Sequence, residues 1–314
     1  MATRVFIDGE AGTTGLQIRE RLAARSDIEL LSIDEARRKD LSARRELLND
    51  CDVAILCLPD DAAKESVSLI DNQTTRVIDA STAYRVDPDW VYGFAEMDQG
   101  QADRIANARF VANPGCWPQG VIAAIRPLVE EGLLPAATPL SVTGISGYSG
   151  GGKSMIADYE ARGEAASEQT PYGLTFEHKH LPEMQLYSKL SQRPLFVPTV
   201  GDYYKGMLEL IPLHFGMMPA GASVASIHSA LLNHFASIAD SFVRVMPLDL
   251  VSRKDEIDPE ALNGTNEMHL YVFGNDGRGQ GVICAVYDNL GKGASGAAVQ
   301  NLNLMIGADP RTGL

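Results

Sequence analysis

The sequence predicts an α/β protein in which a parallel-sheet domain precedes an α+β domain with a mixed or antiparallel sheet. Three observations carry this. Short apolar runs alternate with helix-like segments up to residue 113, the rhythm of buried strands joined by right-handed helical crossovers. A glycine-bearing turn follows the first run, as in Rossmann-like domains. Beyond residue 130, longer strand-like runs and a hairpin signal replace that rhythm.

TRVFID (3–8) reads as a short buried strand, followed by the turn Gly9-Glu-Ala-Gly12-Thr13-Thr14-Gly15. Its spacing is GxxGxxG. Glycines there permit a tight turn and let a pyrophosphate approach a helix N-terminus; the plainer reading is only a glycine-rich strand-to-helix connection. A helix is expected over Leu16 to Ala24, with Ile18 and Leu22 on one face. IELLSI (28–33) is the second strand, and its end, Ser32-Ile33-Asp34, precedes Arg37, Arg38 and Lys39. An acidic residue here favours the ribose of NAD and an arginine the phosphate of NADP, so both signals are present. The charged segment after it holds the next helix. DVAILCLP (52–59), RVIDAS (76–81) and RFVAN (109–113) are further strands, with a helix in DDAAKESVSLI.

NPGCWPQG (113–120) is the most informative run. Pro114 and Gly115 read as a turn, and Pro118 suits a first helical position. Val121, Ile122, Ile125, Leu128 and Val129 then recur at helical spacing. Cys116 is therefore expected where backbone N–H groups and the positive end of a helix converge, a setting that favours thiolate and could receive an oxyanion once sulfur has attacked a carbonyl. A buried structural cysteine is the bland alternative.

In the second half, PLSVTGISG (139–147) is strand-like, 194–214 suggests long strands with a bend, and 221–236 is an amphipathic helix. SFVRVMPL, MHLYVFG and GVICAVYD read as strands, the last two flanking a hairpin loop, NDGRGQ. The C-terminal stretch ends in a helix bearing Ala297, Ala298, Leu302 and Met305 on one face. No long linker separates the halves, which places a boundary near Cys116.

EHKHLPEM (177–184) sets His178 and His180 two apart, on one face only if extended. Pro182 reads as the first residue of a helix, with His180 just before it, a setting that keeps an imidazole neutral and able to act as a base. Two surface histidines, or an incomplete metal pair, are the alternatives. GISGYSGGGKS (144–154) offers small residues with exposed N–H groups, and Ser146, Ser149 and Lys153, to a phosphate. Residues 147–154 also fit the letters of a P-loop; a nucleotide hydrolase is kept as a second class, discounted because no companion acidic strand is evident. Arg85 could pair bidentately with a carboxylate or phosphate, or be an exposed salt-bridging arginine.

Composition narrows the function. A net charge of −14 argues against a nucleic-acid surface, and no apolar run reaches the roughly 18 residues of a membrane span. The N-terminus lacks the signature of a signal peptide. Four cysteines, Cys51, Cys57, Cys116 and Cys284, include no CxxC pair, so no metal site is expected and a reduced, cytoplasmic setting fits.

Taken together, GEAGTTG, STAYR, NPGCWPQG, SGYSGGGK, HKHLPEM, VPTVGDYYKGM and NLGKGASGAAVQN, in that order over essentially the whole chain, resemble the N-acetyl-gamma-glutamyl-phosphate reductase family, in its shorter form, within the aspartate-semialdehyde dehydrogenase-like superfamily. The dehydrogenases typically carry asparagine, not glycine, before the cysteine. The resemblance implies that NADPH reduces an acyl phosphate to an aldehyde through a thioester on Cys116, with His180 moving protons, His178 positioning substrate, and phosphate released, in arginine biosynthesis. It implies a dinucleotide-binding domain over 1–117, completed by 290–314, and a catalytic and oligomerisation domain over 118–289. Gly9, Gly12, Thr13, Thr14, Gly15, Ser32, Arg37, Leu58 and Pro59 would hold NADP(H), with Asn289, Gly293 and Ala294 at its nicotinamide end. Ser81, Arg85, Asn113, Ser146, Gly147 and Ser149 would face substrate or phosphate. The expected partners are a small acyl phosphate and further copies of the chain, as homodimer or homotetramer, with no nucleic acid and no membrane. Two alternatives stay open: a reductase of an aspartyl or aminoadipyl acyl phosphate, and a non-catalytic dinucleotide sensor.

Overall fold

Val5 and Ile7 bury on one face of the first strand and Phe6 on the other, so this strand is apolar on both sides, as a central parallel strand must be. The computed structural model describes residues 2–249 and 257–314, which fall into two compact units. The first comprises Met1–Ala95, Gly100–Pro114 and Ala294–Leu314. Its elements are β1 (Thr3–Asp8), α1 (Thr13–Leu22), β2 (Ile28–Leu31), α2 (Leu41–Asp50), β3 (Val53–Leu56), α3 (Asp60–Leu69), β4 (Arg76–Asp79), β5 (Val91–Tyr92), α4 (Gln101–Asn107), β6 (Phe110–Ala112) and the C-terminal helix Gly296–Ile306. The six strands run in the order β2-β1-β3-β4-β6-β5, and each described pairing is parallel. Ile18 and Leu22 of α1, Ile105 of α4 and Ala298, Val299, Leu302 and Met305 of the C-terminal helix cover one face. Leu48 and Ala63, from α2 and α3, cover the other.

Two local expectations shift. The first helix begins at Thr13, three residues before the expected start, because Gly12 has an extended backbone and already serves as its N-cap. The short edge strand β5 pairs through Val91 and Tyr92 alone, too short for any periodicity to show.

The second unit comprises Glu96–Gln99 and Gly115–Gly293, so four residues of the first half pack with the second. Its elements are α5 (Cys116–Glu130), β7 (Ser141–Gly147), α6 (Gly152–Arg162), β8 (Gln169–Pro171), α7 (Leu181–Tyr187), β9 (Leu195–Gly201), β10 (Met207–His214), α8 (Val224–Ala236), β11 (Val243–Val245), β12 (Met268–Asn275) and β13 (Gln280–Tyr287). Seven strands form a mixed sheet in the order β11-β12-β13-β10-β7-β9-β8. β12 and β13 form the expected hairpin, closing with Asn275 opposite Gln280. α5 is buried on nearly every side, as befits a helix apolar all round. Ser223 caps α8 in a reciprocal capping box with Ser226, so that helix starts at Val224, not in the glycine-bearing segment before it. No helix among the described residues is long and apolar enough to cross a membrane.

Because Leu302 is fully buried against strands of the first unit, Leu302→Ala is expected to cost about 2–5 kcal/mol. Urea unfolding should show a clearly lowered midpoint; an unchanged midpoint would contradict this packing.

Candidate active site

The first candidate site is a cavity of about 950 Å³ in the first unit, lined in part by Gly9, Gly12, Leu58, Arg38, Lys39 and Arg44. Gly9 has φ +91°, and a Cβ there would lie 2.4 Å from the Cys57 carbonyl oxygen. A Cβ on Gly15 would lie 2.5 Å from the Gly9 carbonyl oxygen. The turn is thus packed as tightly as its glycines allow, and it ends at the N-terminus of α1, where Thr13 and Thr14 are the first helical residues. Beneath it Arg44, 6% exposed, donates to Asp8 at 3.0 and 3.2 Å and to Ser66 at 2.5 Å, and Ser66 donates to Asp8 at 2.8 Å. A buried pair satisfied this fully holds the end of β1 in place.

The cationic side of this cavity departs from expectation. Arg38 and Lys39 line it; Arg37 and Ser32 do not. Arg37 closes a 3-10 turn and lies 3.5 Å from Asp40. Asp34, the residue that made the ribose signal ambiguous, accepts the Ala36 N–H at 2.9 Å as the cap of that turn. The turn rotates the basic run by one residue, which spacing alone does not reveal. Pro59 is the N-cap of α3 and is likewise outside the lining.

Ser81, Arg85, Asn113 and Ala294 also belong to the first unit. Ser81 donates to Asp79 at 2.6 Å, and Arg85 donates to the Ala80 carbonyl at 2.9 Å. Burial pushes the Asp79 carboxyl up to about 6, against the hydrogen bonds from Ser81 and the charge of Arg85. Arg85 is therefore buried, not an exposed ion-pairing arginine. Asn113 donates to the Ala294 carbonyl at 3.1 Å and accepts from Asn301 at 3.0 Å. Its amide ties the strand end to the C-terminal helix.

The second site is built around Cys116. Gly115, extended at ψ 159°, is the N-cap, so Cys116 itself is the first residue of α5. Pro118 is the third helical residue rather than the first; its missing N–H costs nothing there either, since the whole first turn lacks intrahelical acceptors. Glu183 accepts the Gly115 N–H at 3.0 Å. Glu183 stands in the first turn of α7, whose N-cap is His180. One hydrogen bond therefore joins the cysteine turn to the histidine turn. Pro182 is the second residue of α7, one later than expected.

His178 and His180 meet edge to face, ring centroids 4.8 Å apart, and the His180 N–H reaches His178 Nδ1 at 3.2 Å. Burial pulls His178 down to about 4, with Lys179 adding to the effect. His178 also packs on Phe196 and Tyr172, centroids 5.1 and 5.7 Å away. Tyr172 accepts the indole N–H of Trp117 at 3.0 Å, and Trp117 packs on Phe196. The histidines and the residue after Cys116 thus share one aromatic cluster. On another side, a Cβ on Gly293 would lie 3.0 Å from the Cys116 Cβ. Gln119 donates to the Lys292 carbonyl at 2.8 Å, and Lys292 pairs with Glu96 at 2.7 Å, both 1% exposed. The sequence marks Glu183 only as an acid in the first turn of its helix; Gln119 and Lys292 lie inside the runs NPGCWPQG and NLGKGASGAAVQN, but nothing local gives them, or Glu96, these partners. Burial pushes the thiols of Cys51, Cys57 and Cys284 up to about 12.

In the 144–154 segment three of the N–H groups expected to face an anion are engaged within the unit. The N–H groups of Gly147, Tyr148 and Ser149 bond the carbonyls of Gly206, Tyr203 and Tyr204 at 2.9, 2.9 and 3.0 Å. A P-loop needs those donors pointing at a ligand, so the hydrolase reading loses its geometry. Lys153 is exposed on α6. Ser146 and Ser149 are buried, and Asn289 donates to the Ser149 hydroxyl at 3.1 Å while accepting the Gly206 N–H at 2.8 Å. Asn289 thus braces this loop within the second unit. Among the described residues, no group of three or more His, Cys, Asp or Glu side chains is placed to hold a metal ion.

Comparison with known proteins agrees with these two halves. Residues 4–107 match the semialdehyde dehydrogenase NAD-binding domain family, and 116–289 match the semialdehyde dehydrogenase dimerisation domain family. The chain is 61% identical to N-acetyl-gamma-glutamyl-phosphate reductase of Chelativorans sp., over 98% of this chain and 99% of that one. It is 60% identical to the Mesorhizobium japonicum protein of the same name, over 98% and 100%. Aspartate semialdehyde dehydrogenase of Francisella tularensis shares its fold, with a TM-score of 0.73 at 14% identity over 98% and 100% of the two chains. The Candida albicans enzyme, solved with NADP, gives 0.65 at 16% over 98% and 99%. A cysteine at a helix mouth tied to a histidine turn in one unit, a dinucleotide-type cavity in the other, and full-length identity of this order together place the chain in the N-acetyl-gamma-glutamyl-phosphate reductase family.

Proposed function

We propose that the chain reduces N-acetyl-glutamyl 5-phosphate to N-acetyl-glutamate 5-semialdehyde and phosphate, with NADPH as reductant, in the cytoplasm and as a homo-oligomer. The observation that carries the reading is the Gly115–Glu183 hydrogen bond, which binds the Cys116 turn to the helix that His180 caps. The names of the full-length relatives supply the acyl group. The match of 116–289 to a dimerisation domain supports assembly of copies.

In this scheme His180 takes the Cys116 proton and the sulfur attacks the acyl carbon. The bond to the phosphate oxygen breaks, and the proton returns to the departing phosphate. A thioester remains on Cys116. NADPH, when bound, supplies the hydride that a thioester accepts and a carboxylate does not. The resulting oxyanion collapses, expelling the Cys116 thiolate and releasing aldehyde. His178, kept neutral by burial, orients His180 and substrate. The first-unit cavity fits a dinucleotide: its glycine turn admits close backbone approach, and Arg38 and Lys39 stand ready for an extra phosphate. Ser146 and Ser149, buried in the same unit as Cys116, are the candidate contacts for the substrate's phosphate.

Cys116→Ser is expected to lower kcat by about a thousandfold or more, the scale on which a lost nucleophile acts, while NADPH binding followed by fluorescence stays intact. Normal turnover would end the proposal. Joint replacement of Arg38 and Lys39 by alanine should raise KM for NADPH about tenfold or more while leaving that for NADH nearly unchanged, each lost phosphate contact being a charge-assisted one; equal effects on both cofactors would contradict the assignment. His178, with its folded value near 4, should stay neutral in nitrogen-detected NMR while pH falls from 7 to 5. The unfolded chain takes up that proton near 6.5, so this residue's contribution to stability is present above that pH and is lost as pH falls towards 4. Protonation of His178 at pH 6 would contradict the burial described.

A further inference from the structure

Gly120 lies inside α5, where glycine weakens a helix. The reason is visible in what it faces. A Cβ at Gly120 would lie 2.4 Å from Glu209 Oε2 and 3.0 Å from the Tyr287 hydroxyl. Glu209 on β10 and Tyr287 at the end of β13 are both fully buried. The two strands are antiparallel neighbours, with Glu209 opposite Ala285, so Glu209 and Tyr287 share one face of the sheet. The Tyr287 hydroxyl stands 2.6 Å from Glu209 Oε1, 2.7 Å from the Cys116 carbonyl and 3.2 Å from the Gly120 nitrogen. It therefore sits inside the first turn of the helix that begins at the candidate nucleophile.

A tyrosine hydroxyl carries one hydrogen and two acceptor positions. Gly120 N–H is a donor and fills one acceptor position. The Cys116 carbonyl is only an acceptor and requires the hydrogen. An ionised Glu209 is also only an acceptor and would compete for that hydrogen, leaving one of two short oxygen–oxygen contacts, 2.6 and 2.7 Å, with no hydrogen in it. A protonated Glu209 donates instead, and all three contacts close at once. The other carboxyl oxygen, Oε2, is buried with no hydrogen-bond partner, which is far easier to bear on a neutral acid than on a carboxylate. Burial drives the Glu209 carboxyl strongly upward, against the opposing hydrogen bond from Tyr287. The Tyr287 phenol is pushed up by burial, by Glu209 and by Cys116.

We propose that Glu209 is a neutral carboxylic acid that donates to Tyr287, so that Tyr287 commits its own hydrogen to the Cys116 carbonyl and acts as a positioning residue for the nucleophile. The inference rests on the reading of Cys116 as nucleophile, and it explains why α5 carries a glycine at 120. Glu209→Gln keeps a neutral donor, so kcat and KM should both stay within about twofold of the parent, the scale of a conservative change. The infrared spectrum of the parent minus that of Glu209→Gln, at neutral pH, should contain the carbonyl stretch of a protonated carboxylic acid and no carboxylate bands. Tyr287→Phe should lower kcat about tenfold to a hundredfold, the cost of a misplaced reacting group, with NADPH affinity unchanged. Carboxylate bands in the difference spectrum, a Glu209→Gln variant that is inactive or does not fold, or a Tyr287→Phe variant with full kcat would each overturn the inference. Active Cys116→Ser enzyme would instead remove the nucleophile reading and leave the Glu209 spectrum as it was.

Discussion

The second unit depends on how tightly Cys116 is held at the first position of α5. The N–H of the residue before it is taken by Glu183, its own carbonyl by Tyr287, and its Cβ faces Gly293, where an added Cβ would stand a tight 3.0 Å away. Each contact comes from a different element: α7, β13, and the loop after β13. The position of Cys116 is thus set by backbone atoms, which cannot change rotamer. That kind of preorganisation matters where reacting atoms must lie within a small tolerance. It also explains why residues of no obvious chemistry surround the site. Gly293 is there for space, Gln119 to hold the Lys292 carbonyl, and the Lys292–Glu96 pair to anchor the loop from inside.

The first unit solves a different problem by similar means. Its glycine turn has room for neither a Cβ at Gly9 nor one at Gly15. Arg44, Asp8 and Ser66 support the strand end from below. The charge that would select between dinucleotides is placed by a single 3-10 turn. Asp34, by capping that turn, is drawn away from the role an acid at this place often has. Asp34 caps the turn, while Arg38 and Lys39 line the cavity together with Glu35, which lies 3.5 Å from Arg38.

Much of this was legible in the sequence, for identifiable reasons. The parallel sheet was readable because strands buried on both faces leave continuous apolar runs, as in VAIL of β3. Cys116 was readable because a proline-glycine turn followed by helical periodicity is a local signal. What was not legible depends on atoms brought together from afar. Glu183 and Gly115 are 68 residues apart, and Tyr287 and Cys116 are 171 apart. Neither separation has a periodicity. Within the 144–154 segment, where exposed amides were expected, those at 147–149 have partners in the carbonyls at 203–206, invisible to a local reading. Arg38 rather than Arg37 lines the cavity, a difference of one residue set by a short turn.

The central claim is that the sulfur of Cys116 carries the acyl group. Mass spectrometry of the acid-quenched protein, after mixing with N-acetyl-glutamyl phosphate in the absence of NADPH, tests it directly. The account requires an N-acetyl-glutamyl adduct on the peptide containing Cys116, removed when NADPH is added before the quench. Unmodified Cys116 after mixing without NADPH, in enzyme that turns over normally once NADPH is supplied, or an adduct on any other residue, would contradict it.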